Sequence, residues 1–290
     1  MVLQPQDGIE RWLRRNWDQA PDCFSVAVEG AAIACRGWNL GAAHLPGIML
    51  VHGYRAHARW WDHIAPALAD RYRLVALDLS GMGDSDRRAE YSRAQMGREV
   101  LAVADHCGFR PATIIAHSFG ALGSMMAARR EPDRVHRLII IDSALPTLDD
   151  TEKQIPVWPE RLYPDEETAI SRFRLIPPGE WPHPSVLNYI ARHSVRETEQ
   201  GWTWKFDPMA PVSLNREDYR DTLFGITVPV DVIHGDSTEV MMEARRAQMR
   251  EMASNIGEDI AIPACHHHVL IEQPAALVTA LRALLANERT

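Results

Sequence analysis

Short, unbroken apolar runs recur along this chain, and each stops at a polar residue or a turn-forming one. They lie at 47–51 (GIMLV), 73–77 (RLVAL), 112–116 (ATIIA), 137–141 (RLIII) and 230–234 (VDVIH), and EDIAI (258–262) reads as a final strand. Runs this short and this continuous predict strands buried on both faces rather than helices. Upstream, FSVAVEGAAIACRGWNL (24–40) reads as two strands joined in a hairpin at Glu29–Gly30. Between the runs, helical stretches are expected at about 59–70, 92–107, 119–130, 239–255 and 274–287. The second opens with Ser92 and carries Gln95 three residues on, a capping-box arrangement.

Strands alternating with helices predict right-handed crossovers. The expected fold is therefore α/β, with a mostly parallel eight-stranded sheet and helices on both faces. In such sheets functional side chains collect at the carboxyl ends of the strands. Here those ends carry His52-Gly53, Asp78–Gly83, His117–Gly120, Asp142-Ser143 and His234–Thr238. From 145 to 215 the alternation stops. That stretch is rich in proline and tryptophan, among them Pro146, Pro156, Pro211, Trp158, Trp181, Trp202 and Trp204, and shows no buried-strand run. It predicts an inserted, mostly helical cap at 145–215 over a core made by 1–144 and 216–290.

Composition narrows the picture. At 290 residues, 46% hydrophobic and 24% charged, the chain can bury a sizeable globular core. No apolar run approaches the roughly 20 residues that cross a bilayer, and the first residues lack the apolar centre of a signal peptide. No membrane partner and a cytoplasmic location are expected. A net charge of −8 argues against a general nucleic-acid binder. Cys23, Cys35, Cys107 and Cys265 are scattered without a CxxC pair, which fits reduced thiols. A monomer and a homodimer are both compatible with these features.

The chemistry centres on Ser118. It sits between an apolar strand and a helical run, with small residues two positions away at Ala116 and Gly120. A serine on a sharp strand-to-helix turn is strained, and larger neighbours at those positions would collide with the adjoining strand and helix. The helix that starts there also points its positive end at developing negative charge. Read alone, the same serine could simply cap the helix.

Taken in order, His52-Gly53, the Asp78–Ser85 turn, the Ser118 elbow and the segment Ala264–Pro274 resemble the α/β-hydrolase superfamily over nearly the whole chain. Alanine at 116, where the family has glycine, is a mild departure. The resemblance implies a serine-nucleophile hydrolase with a helical cap, needing no cofactor and no metal. A serine hydroxyl needs a base to take its proton, and the likeness selects His267 of the His266-His267-His268 run. Three consecutive histidines also suggest a metal site, but neighbouring side chains are expected to diverge and no partner set accompanies them in sequence. The triad acid usually lies three residues past Gly235, where this chain has Thr238. The other known position is Asp142. Asp142 ranks first, Glu239 second and Asp236 third.

By the same resemblance, the backbone N–H groups of Phe119 and Tyr54 form the oxyanion hole, and His52 shapes the loop that carries Tyr54. Trp60 and Trp61 are core or pocket wall. The tryptophan-rich insertion suggests a small-molecule substrate with an apolar or aromatic acyl or alcohol group, although packing beneath the cap explains those residues equally well. Hydrolysis of an ester, lactone or thioester is the leading function. An acyltransferase or C–C bond hydrolase on the same triad and a non-catalytic ligand-binding protein are the alternatives. Dehalogenases and epoxide hydrolases need a carboxylate at the elbow, and serine at 118 argues against both.

Overall fold

The apolar runs become strands in the computed structural model, which describes residues 5–143, 159–179, 182–210, 225–253 and 255–287. The hairpin strands are β1 (Asp22–Val28) and β2 (Ala31–Trp38), followed by β3 (Gly47–Val51), β4 (Arg73–Leu77), β5 (Ala112–His117) and β6 (Val135–Ile141). A separate pair, β7 (Val195–Thr198) and β8 (Gly201–Trp204), precedes β9 (Val230–Gly235) and β10 (Ile256–Ile262). Eight of these form one sheet in the order β1-β2-β4-β3-β5-β6-β9-β10. Pairing is antiparallel from β1 through β2 to β4 and parallel across the rest.

Successive residues of the central strands face opposite ways, and both faces are covered. Met49, Val51, Ile114, Ala116, Leu138 and Ile140 pack into one core with Met96 and Val100 of α2 (Arg93–His106) and Met125 of α3 (Gly120–Arg130). Ile48, Leu50, Ile115, Ile139 and Ile141 enter a second core with Leu277 and Leu281 of α7 (Pro274–Ala286) and Leu13 of α1 (Pro5–Trp17). Burial on both sides is why these strands read as unbroken apolar runs rather than as alternations.

Some local expectations change. The stretch 59–70 is not an α-helix but two short 3-10 turns, Ala58–Trp61 and Ala65–Ala67. Pro66 lies inside the second turn and has no N–H to continue a helix. The helix expected at 239–255 is the shorter α6 (Glu243–Met252). Ser92 caps α2 by accepting the Gln95 N–H at 3.1 Å, but the Gln95 side chain turns to Glu99 and Ser80 instead of completing the box.

Between β6 and β9 the described residues form α4 (Glu166–Ser171), α5 (Pro184–His193) and the antiparallel hairpin β7–β8. The hairpin shows no buried-strand run because its strands are only four residues long, VRET having three polar residues and GWTW alternating two tryptophans with small residues. Pro146, Pro156, Trp158, Trp181 and Pro211, with the expected cap limits at 145 and 215, lie outside the described residues. Among the described residues no helix is long and apolar enough to cross a membrane. All four cysteines are free thiols.

Candidate active site

Ser118 occupies the turn between β5 and α3 with φ +50°, the left-handed region that side chains avoid. The turn is closely packed on both sides. A Cβ at Gly120 would lie 2.3 Å from the carbonyl oxygen of His52, and Ala116 is wholly buried. The Ser118 N–H is tied to the Ile141 carbonyl at 2.9 Å, joining the elbow to the neighbouring strand end.

Two further side chains meet the serine in a line. Ser118 Oγ lies 3.0 Å from His267 Nε2, and His267 Nδ1 lies 2.8 Å from Asp142 Oδ1. A carboxylate can only accept, so Nδ1 carries the proton and Nε2 is free to receive the Ser118 hydroxyl proton. Asp142 is fully buried just past β6 and also accepts the Gly235 N–H at 2.9 Å and the Thr238 hydroxyl at 2.8 Å. Of the three candidate acids, Asp142 is the one that reaches His267. Glu239 is exposed, and Asp236 accepts the N–H groups of Ala264 and Cys265 instead. Thr238, three residues past Gly235, donates its hydroxyl to Asp142.

The loop carrying His267 is clamped by a carboxylate that sequence reading passed over. Glu272 is buried and accepts the N–H groups of His266 at 2.7 Å and His268 at 2.9 Å, on either side of His267. His117 Nε2–H donates to the His267 carbonyl at 3.0 Å, and burial holds its ring well below the usual histidine pKa. His52 is neutral for the same reason, with a pKa near 4. Its Nδ1–H donates to the Gly53 carbonyl, and its Nε2 accepts the Leu79 N–H at 3.0 Å. His52 therefore shapes a loop, as expected of it. Asp78 does the same for the next turn, accepting the N–H groups of Ala58 and Asp84.

That loop sets Tyr54 beside the nucleophile. A Cβ on Gly53 would touch Ser118 Cβ at 3.3 Å, and the rings of Tyr54 and Phe119 lie 5.5 Å apart. Phe119 is the N-cap residue of α3, and amides at that helix end have no internal acceptor. Tyr54 lines the same cavity as Ser118, and Phe119 follows Ser118 in the chain. A cavity of about 680 Å³ opens over the serine, walled by Tyr54, Trp60 and His268 from the core and by Phe173, Trp204 and Phe206 from the insertion. Trp60 is cavity wall, stacked on His117, while Trp61 is core.

The sequence profile of the alpha/beta hydrolase family matches residues 48–280. The chain belongs to the alpha/beta hydrolase family. Three uncharacterized proteins of Mycobacterium bovis and Mycobacterium tuberculosis are 36% identical over 108 residues, 36% of this chain. The match spans 31% of their length. An esterase of M. tuberculosis is 24% identical over 89% of this chain and 88% of its own. Its solved structure superposes with a TM-score of 0.75 at 19% identity, covering 99% of this chain and 100% of that one. The thioesterase domain from the curacin biosynthetic pathway reaches a TM-score of 0.74 at 22% identity, over 91% and 99% of the two chains.

This alpha/beta hydrolase holds a second serine–histidine contact, between Ser194 Oγ and His57 Nε2 at 3.0 Å. There the serine proton goes to the Ile190 carbonyl, so His57 donates rather than accepts, and its Nδ1 meets no carboxylate. The pair cannot activate a nucleophile. The expected divergence of the consecutive histidines fails in part. His267 and His268 bring one ring nitrogen each within 4.8 Å of one from His117. His117 is 150 residues away along the chain, so sequence spacing could not reveal it. Those three could ligate a metal, but His267 is already committed at both nitrogens, to Asp142 and Ser118.

Proposed function

We propose that the protein is a serine hydrolase that cleaves a carboxylic ester, lactone or thioester through an acyl-enzyme on Ser118. The observation that carries this reading is the unbroken Asp142–His267–Ser118 chain of 2.8 and 3.0 Å beneath an open cavity. In the first half-reaction Ser118 Oγ attacks the substrate carbonyl carbon while its proton passes to His267 Nε2. Asp142 holds the imidazolium that forms. The oxyanion is received by the N–H groups of Phe119 and Tyr54, each such donor contributing about 3–4 kcal/mol in related chemistry. His267 then protonates the departing alkoxide or thiolate. In the second half, His267 takes a proton from water as its oxygen attacks the acyl carbon; the bond to Ser118 Oγ then breaks, His267 returns the proton to that oxygen, and the free acid leaves. The insertion is read as the cap that limits water and shapes the pocket.

The likeness to an esterase and to a thioesterase domain supports the bond class. Hydrolysis of 4-nitrophenyl butyrate tests the reading. Ser118→Ala and His267→Ala are expected to lose activity to a similar extent, by a thousandfold or more, because nucleophile and base act as a unit. Retention of more than a tenth of the activity by Ser118→Ala would overturn the nucleophile assignment.

A further inference from the structure

The cavity wall contains a cation that the reaction above does not use. Arg55 follows Tyr54, lines the cavity and is held in the left-handed region at φ +56°. Such strain in a residue with a side chain persists only where its surroundings enforce it, and it gathers at functional loops. The guanidinium lies against two rings, its central carbon 5.0 Å from the Tyr54 centroid and 4.5 Å from that of Phe206. Ring contacts of this kind leave its N–H groups to find their own acceptors. Nε and Nη2 are shielded from solvent and have no hydrogen-bond partner, and the Tyr54 hydroxyl is in the same condition.

The two orphaned nitrogens share one edge of the guanidinium. Their N–H groups run parallel, forming the fork that matches the paired oxygens of a carboxylate or phosphate. A shielded cation without a counter-charge is expensive, and among the described residues no carboxylate pairs with Arg55. The Tyr54 phenol is pushed up from its ordinary pKa by burial, so it stays protonated and can donate beside the fork. Charge around the cavity has the same sign. Arg161, Arg172 and Arg174 are exposed lining residues, against one acid, Glu160, which is bonded to Arg87 at 2.9 Å. Clefts lined by one sign of charge concentrate ligands of the other.

We infer that Arg55 and Tyr54 form an anion subsite, so that the preferred substrate carries a carboxylate or phosphate in addition to the bond that is cleaved. The word substrate rests on the Ser118 reading; the subsite itself does not. The apolar wall of Trp60, Phe173 and Trp204 then holds the chain between the anion and the reacting carbonyl.

Calorimetry on the Ser118→Ala protein, with adipate and with phenyl phosphate as probes, tests the subsite without turnover. At least one probe is expected to bind, and at least tenfold more weakly when Arg55→Gln is added; which probe binds identifies carboxylate or phosphate. Should the Arg55→Gln protein fail to fold, Arg55→Lys keeps the charge, loses the fork and is expected to bind about threefold more weakly. No binding of either probe, or affinities indifferent to Arg55, would overturn the subsite. In the active enzyme, 4-nitrophenyl hydrogen adipate and 4-nitrophenyl hexanoate differ by a terminal carboxylate. The ratio of their kcat/KM values is expected to fall at least tenfold in Arg55→Gln if carboxylate is the anion, and the ratio cancels any general loss of activity. Probe binding without turnover of either ester would overturn the hydrolase reading and leave the subsite standing.

Discussion

Asparagine at position 142 keeps the shape of the buried side chain while removing its charge and one of its acceptors. Asp142 meets three donors: His267 Nδ1 and the Thr238 hydroxyl at Oδ1, and the Gly235 N–H at Oδ2. The Gly235 amide can only donate, so the asparagine oxygen must turn to it and the amide nitrogen must take the place of Oδ1. Thr238 adapts by rotating its hydroxyl to accept. His267 adapts only by moving its proton from Nδ1 to Nε2, and in that tautomer it cannot take the proton of Ser118. Loss of the correct tautomer in Ser-His-Asp chemistry lowers kcat by about four orders of magnitude, equivalent to ~5.5 kcal/mol of barrier. Glu239→Gln, at an exposed side chain, is expected to cost less than twofold. Both are read as kcat/KM for 4-nitrophenyl butyrate at pH 7.5, with Ser118→Ala setting the floor. If Asp142→Asn keeps more than a hundredth of wild-type activity, or if Glu239→Gln loses as much, the tautomer argument fails.

Two further outcomes concern stability. Thr238→Val removes a hydroxyl that donates to the Asp142 carboxylate and accepts the Val240 N–H at 3.1 Å. It should lower unfolding stability by about 1.5–3 kcal/mol, and an unchanged urea midpoint would contradict this. His52 and His63 are buried and neutral, with pKa values lowered to about 4 by burial. Their folded pKa lies below the unfolded value near 6.5, so the unfolded chain binds protons that the folded one refuses. The stability they favour is present above pH 6.5 and is lost as pH falls towards 4. Between pH 7.5 and 5 each should cost roughly 2 kcal/mol. Urea titrations at the two pH values check this, and His63→Gln should lose correspondingly less; a flat profile would refute it.

The parts of the molecule legible in sequence are those where one segment is sufficient. A five-residue apolar run bounded by turn signals is too short for a helix and fits a strand buried on both faces, so the centre of the sheet follows from 47–51, 73–77 and 112–116. The elbow is legible as a pattern within one segment, small residues two positions either side of Ser118, although the atoms that crowd Gly120 belong to Val51 and His52 at the end of the neighbouring β3. Arg55, Glu272 and His117 are different. Each acquires its role from partners that sequence does not place beside it: the Phe206 ring, the amides around His267, and the His267 carbonyl. The insertion is hardest to read, since its short helices and hairpin lack a periodic apolar face long enough to declare their period.

The triad acid shows the same boundary at a single point. β6 and β9 are parallel neighbours with Ile141 opposite Ile233, so Asp142 and the residues following Gly235 emerge at the same end of the sheet. His267 Nδ1 requires one acceptor at one position in space, and either strand end can deliver it. In sequence, Thr238 therefore looks like a missing acid. In space, its hydroxyl donates to Asp142 at 2.8 Å and holds that carboxylate in place. A carboxylate at 142 fixed by Thr238 and the Gly235 N–H has fewer ways to turn than one facing solvent, so this arrangement gains orientation for His267 from the residue whose identity seemed to break the motif.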